Sequence, residues 1–145
     1  MKFTSADPEF PPMQQGEINE LLNQPIYLRM AMIDDRDGTP LVHPIWYYYE
    51  DGKFFAVSNS GGRKIRSLKK NPEVYFLVDT DDRGVRGKAR AKVIDDPEYA
   101  KKITSRNLVR YMGSAESPEA KDRIELAKNY SAIEVTPYFI ASWKA

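Results

Sequence analysis

Apolar and polar residues alternate with a period of two along most of this chain, which predicts a protein built mainly of β-strands. The alternation is sharpest at 87–92. There Gly87, Ala89 and Ala91 share one side of a strand, and Lys88, Arg90 and Lys92 share the other. Strands are predicted at 26–33, 41–49, 53–57, 73–79, 85–94, 132–135 and 138–143. Pro44 lies inside the second of these and cannot donate to a ladder, so that strand belongs at an edge or a bulge. The period changes to that of a helix at 17–23, 62–70, 99–112 and 117–129. Asp96-Pro97-Glu98 and Ser117-Pro118-Glu119 are helix-start signals, and Gly113 is a stop. Asp51-Gly52 makes a hairpin turn, and the residues 34–40 make another. Residues 1–15, with Pro8, Pro11 and Pro12, read as an extended arm. Strands in hairpin order with helices inserted between them predict an antiparallel barrel with helical additions.

The length of 145 residues suits a single domain over 1–145. No cysteine is present, which excludes disulfides, thiolate metal ligands and a cysteine nucleophile. No apolar run approaches the roughly 20 residues of a membrane span, and the N-terminus lacks the apolar core of a signal peptide; a cytoplasmic protein is expected. The net charge is only +1, yet residues 60–92 hold ten Lys and Arg against four Asp and Glu. A local basic zone in a near-neutral protein points to a discrete anionic ligand and away from nucleic acid.

The basic zone opens with Ser58-Asn59-Ser60-Gly61-Gly62-Arg63-Lys64, between a strand and a helix. Two glycines allow the backbone to curl so that N–H groups converge, and the helix start adds unpaired N–H groups and the positive end of its dipole. Cations in a first helical turn are disfavoured by roughly 0.3–1 kcal/mol each, so Arg63 and Lys64 make sense there if a phosphate sits beside them. The rival reading is a solvated loop and a basic surface helix; neither the P-loop nor the dinucleotide G-x-G-x-x-G spacing is present. His43, the one histidine, is as well explained as a polar strand residue as by a ligand contact. Asp34, Asp35 and Asp37 read as a turn, without the glutamate of an EF-hand. Of the run Trp46 to Tyr49, alternation puts Trp46 and Tyr48 on one face and Tyr47 and Tyr49 on the other. The small residues Gly87, Ala89 and Ala91 leave room for a flat ligand or another backbone, or mark an ordinary edge guarded by lysines. No metal cluster and no nucleophile–base constellation emerges, so catalytic residues are not assigned and any redox chemistry has to come from a bound cofactor.

The ordered set His43-Pro44-Ile45-Trp46-Tyr47, Asp51-Gly52, Val57-Ser58-Asn59, Arg63-Lys64, Asn71-Pro72-Glu73-Val74, Gly87-Lys88-Ala89, Ile133-Glu134-Val135-Thr136-Pro137 and Trp143 resembles the pyridoxamine 5′-phosphate oxidase-like split-barrel flavoproteins, a superfamily that includes flavin and deazaflavin oxidoreductases. The resemblance runs from about Ile26 to the C-terminus. It implies a mainly β fold with added helices, a six-stranded antiparallel split β-barrel that binds FMN at a homodimer interface. It implies an oxidoreductase that passes hydride or electrons between an electron donor and a small-molecule substrate. Arg63 and Lys64 match the pair that holds the flavin phosphate. Val57, Ser58 and Asn59 match the strand end beside the phosphate and ribityl chain, and His43, Pro44, Ile45 and Trp46 the strand whose backbone follows the ring. Trp143 falls where some members present a residue of the partner subunit. The arginine-rich substrate segment of true pyridoxamine phosphate oxidases has no counterpart in Ser142-Trp143-Lys144-Ala145, and Arg110-Tyr111-Met112-Gly113 looks closer to the small oxidoreductases of the superfamily. Some of these use an 8-hydroxy-5-deazaflavin coenzyme in place of FMN. Alternatives are a non-enzymatic flavin or haem carrier and a barrel that binds single-stranded nucleic acid. Tyr47 and His43 are the side chains that could assist proton transfer.

Overall fold

A computed structural model describes residues 2–6 and 10–145. In chain order the elements are β1 (Lys2–Ser5), α1 (Gln15–Leu22), β2 (Leu28–Ile33), β3 (Pro40–Ile45), β4 (Tyr48–Glu50), β5 (Lys53–Asn59), α2 (Arg63–Lys70), β6 (Glu73–Asp79), β7 (Arg83–Ile94), α3 (Pro97–Met112), α4 (Pro118–Leu126) and β8 (Tyr130–Lys144), with a 3₁₀ turn at Ala127–Asn129. Part of the expected arm, residues 7–9, lies outside the described residues. The start of that arm is β1, which pairs in parallel with β8.

Among the described residues the strands form one eight-stranded sheet in the order β3-β2-β6-β7-β8-β5-β4, with β1 beside β8. The fold is thus the mainly β split barrel with added helices that the resemblance implied, with eight strands in place of six. The strand carrying Pro44 is at the sheet's edge, where a residue without an N–H is tolerated. Gly87 and Ala89 do not mark an edge: β7 lies between β6 and β8. A Cβ at Gly87 would lie 1.9 Å from the Phe139 carbonyl oxygen, so the space left by the small residue is taken by another backbone.

Two apolar cores follow from the alternation. Leu28, Met30, Phe54, Ala56, Phe76, Val78, Val85, Ile133 and Val135 point into the barrel, with Ile65 and Leu68 of α2 closing it. The opposite side of β4, β5 and β8 packs Tyr48, Phe55, Val57 and Ala132 against Ile103 of α3. Both faces of this part of the sheet are therefore buried. Helix α3 is closed at its start by the Asp96 side chain, which accepts from the amides of Glu98 and Tyr99, and at its end by Gly113 in the left-handed region at φ 83°.

Two expected elements differ in extent. The predicted strand over 41–49 is broken at Trp46-Tyr47, and the Tyr47 peptide is held from outside the sheet: its N–H donates to the Tyr111 hydroxyl at 3.2 Å, and that hydroxyl donates to the Ile26 carbonyl at 2.7 Å. Alternation consequently fails there, and Tyr47 and Tyr48 are both buried, one in each core. The last two predicted strands are a single strand, β8, bent by a bulge opposite Lys88 and Ala89.

Candidate functional site

Strand β5 ends at Asn59, and the chain turns at once into α2. Asn59 builds that corner. Its Oδ1 accepts from the Gly61 N–H at 2.9 Å, and its carbonyl accepts from the Gly62 N–H, also at 2.9 Å. Neither glycine has a positive φ. Both amides are used inside the loop, so the convergence of glycine N–H groups expected from the sequence does not occur. Gly62 is small for a different reason: a Cβ there would sit 3.2 Å from the Asn59 carbonyl oxygen. As the N-cap, Gly62 supplies no side-chain hydrogen bond, and the first turn has no acidic residue. The amides of Arg63, Lys64 and Ile65 thus start an uncapped helix, whose first N–H groups have no intrahelical partner.

Arg63 and Lys64 are adjacent in sequence but stand in different surroundings. Arg63 Nη1 donates to both carboxylate oxygens of Asp35, at 2.8 and 3.0 Å. Asp35 also accepts from Ser67 Oγ at 3.0 Å, and its carbonyl accepts from Lys70 Nζ at 3.1 Å. The turn between β2 and β3 therefore clamps α2 along its length, and the Arg63 guanidinium, ahead of Ser67, holds the Asp35 carboxyl below its ordinary range. Lys64 is half-buried, and among the described residues it has neither a carboxylate nor a hydrogen-bond acceptor. Burial pulls its ammonium below the usual lysine range. Its charge reaches His43, whose imidazole is lowered first by burial and then by Lys64, so His43 is neutral at pH 7.

The other predicted residues spread from this corner. Ser58 and Asn59 pair with Ser131 and Tyr130 of β8. Ser60 Oγ lies 2.8 Å from Ser131 Oγ; since Ser131 donates to Asp95, Ser60 donates to Ser131. Lys69 also reaches Asp95 at 2.7 Å, which ties the end of α2 to the same network. Along β3, His43 faces the barrel side, Pro44 faces outward and Ile45 is buried opposite Leu28. Only their shared backbone could follow one ligand. Trp46 stacks on Tyr111, with ring centroids 4.8 Å apart and planes at 5°. Trp46 and Val57 line a pocket of about 330 Å³ together with Thr104, Leu108, Arg123, Leu126 and Tyr130. The Tyr47 hydroxyl donates to the Leu22 carbonyl at 2.9 Å inside the core, and burial raises its pKa. It is not available for proton transfer.

The model of one family, described as pyridoxamine 5′-phosphate oxidase, matches residues 14–144. The chain belongs to the pyridoxamine 5′-phosphate oxidase family. No curated protein matches it. Solved structures share its fold at low identity. A conserved hypothetical protein from Mycobacterium tuberculosis is 24% identical with a TM-score of 0.80, covering 97% of this chain and 90% of that one. A protein described as an F420 reductase is 24% identical with a TM-score of 0.70, covering 85% of this chain and 94% of that one. HutZ, described as the haem storage protein from Vibrio cholerae, is 17% identical with a TM-score of 0.66, covering 90% of this chain and 93% of that one.

In this pyridoxamine 5′-phosphate oxidase family chain, Trp143 is not brought to the Lys64 corner. It lies over Gly84 of β7, where a Cβ would sit 2.2 Å from its indole ring, and β7, β6 and β2 separate its strand from β3. The outward side of the sheet holds an open groove of about 360 Å³ lined by Ala31, Ile33, Val74, Tyr75, Lys88 and Tyr138 among others, and Val42 beside it is 59% exposed. Among the described residues no helix is long and apolar enough to cross a membrane.

In the sequence Asp35 reads only as part of a turn and Tyr111 only as part of a family-like motif, and nothing singles out Thr104 or Arg123, because Trp46 and Val57, with which they line one pocket, are distant in sequence.

Proposed function

We propose that this chain binds a phosphorylated flavin-type cofactor without a covalent link and acts as an oxidoreductase on a small-molecule substrate. FMN is the first candidate and the 8-hydroxy-5-deazaflavin coenzyme the second. The observation that carries the reading is Lys64. A half-buried ammonium at the positive end of an uncapped helix, with no carboxylate partner among the described residues, is unfavourable unless an anion joins it. A phosphoryl group supplies that anion. Family membership and the fold shared with a described F420 reductase support the flavin or deazaflavin choice.

On this reading Lys64 and the amides of Arg63, Lys64 and Ile65 hold the phosphoryl group. Asp35 fixes the angle of α2 through Arg63 and Ser67. Ser58 and Asn59 border the phosphate and ribityl chain, and the backbone of His43 to Trp46 follows the ring. The cofactor, when bound, supplies hydride or electron transfer, and the protein supplies position and electrostatics. His43, neutral at pH 7, is the side chain left near the corner for a proton. A homodimer completes the cleft, with Trp143 offered to the partner; the apolar outward groove and exposed Val42 support pairing through that face.

The test is the visible spectrum of the purified protein, followed by separate titrations with FMN and the deazaflavin. Protein that is colourless and binds neither refutes the reading. A haem Soret band without flavin binding selects the carrier reading that the fold shared with HutZ supports. Turnover with reduced nicotinamide or reduced deazaflavin separates an enzyme from a carrier.

A further inference from the structure

The pocket between Trp46 and helices α3 and α4 is a built ligand site, and we infer that it takes a small aromatic carboxylic acid. Its volume of about 330 Å³ suits a molecule of one or two rings. Its walls are apolar: Val57, Leu108, Leu126 and the Trp46 indole. Trp46 cannot swing in to fill the space. One face of its ring is stacked on Tyr111, and the Tyr111 hydroxyl is itself held by the Ile26 carbonyl at 2.7 Å.

One charged group defines the occupant. Arg123 sits with its guanidinium 5.9 Å from the Trp46 ring centroid. Its ion partner is Glu119, one turn away at 3.2 Å, and both side chains are about half or more exposed. Such a surface pair is weak and exchanges readily for a ligand carboxylate, which the guanidinium grips with two parallel bonds. An aromatic body against Trp46 and a carboxylate on Arg123 match the pocket's apolar walls and its cationic side chain.

Isothermal titration calorimetry with 6-hydroxy-2-naphthoate and with 2-naphthol, which lacks the carboxylate, tests this on the full chain. The acid is expected to bind one per chain. Arg123→Gln is expected to weaken the acid at least tenfold and leave 2-naphthol within twofold, and Glu119→Gln to tighten the acid. Arg123 is on the surface, so the variant folds, and circular dichroism checks that it has. No binding of the acid, equal binding by wild type and Arg123→Gln, or equal loss for 2-naphthol overturns the proposal. Displacement of the acid by FMN assigns the pocket to the cofactor and overturns it as well. The titrations need no bound cofactor, so failure of the flavin reading leaves this result intact, and failure here leaves that reading intact.

Discussion

Replacing Lys64 with methionine should move two measurements in opposite directions. Without a bound anion, the ammonium sits in the first turn of α2, half-buried and without a partner among the described residues. A cation at that helix end costs roughly 0.3–1 kcal/mol. Methionine keeps a long apolar stem and removes the charge, so the unliganded protein should gain about that much, a rise in Tm of roughly 1–4 °C for a chain of this size. If FMN binds as proposed, the same ammonium should contribute a charge-assisted hydrogen bond of roughly 1.5–3 kcal/mol. Its loss should raise the FMN Kd roughly 10- to 150-fold. Riboflavin has the ring but no phosphoryl group and should change by less than about twofold. Flavin fluorescence titrations give the two Kd values, and differential scanning calorimetry of the unliganded protein gives Tm. The pH dependence has a definite sign. Burial lowers the Lys64 pKa in the folded protein, so the unliganded protein gains stability from this group as pH rises towards the ordinary lysine range. FMN affinity falls over the same range, because the anion needs the charged form. Parallel losses for FMN and riboflavin, or a fall in Tm, would refute the assignment of Lys64 to the phosphoryl group.

The remaining predictions concern the frame around this corner. Asp35→Ala should remove the clamp on α2, leaving Ser67 buried without its acceptor; a loss of roughly 1–3 kcal/mol in urea unfolding is expected, and an unchanged midpoint would show the clamp to be idle. Arg36, through its side chain and then its amide, holds the Asp34 carboxyl at about 2, and Arg63 lowers Asp35, so both stabilise the fold above about pH 4; that stability should drain away between about pH 4 and 2, and Asp34→Asn should flatten the acid limb of a urea-midpoint series. Gly87→Ala places a methyl group 1.9 Å from a backbone oxygen that cannot yield, so a loss of roughly 3 kcal/mol or more, or insoluble protein, is expected on expression and denaturant titration. Val42→Asp should convert the proposed homodimer to a monomer in light scattering at unchanged monomer stability, because Val42 is already exposed in the single chain; a persistent dimer would move the interface elsewhere.

What the residues determine locally could be read without a structure. The strict alternation at 87–92 makes β7, the Asp96 cap and Gly113 bound α3, and Pro44 belongs at an edge because it has no N–H to give. Ile65 and Leu68 share the buried side of α2 because residues three apart on a helix are neighbours. Each of these depends on backbone geometry within one or two turns of chain. The tertiary structure alone decided where the alternation stops and what the charged residues do. The break at Trp46-Tyr47 exists because Tyr111, 64 residues on, holds the Tyr47 amide. Arg63 is neutralised because Asp35, 28 residues earlier, lies across the helix, while its neighbour Lys64 has no carboxylate partner among the described residues. Two adjacent cations thus differ: one is paired, and one has no partner among the described residues. The cause is the packing of a turn against one side of α2, and a hundred-degree rotation per residue turns Lys64 away from it.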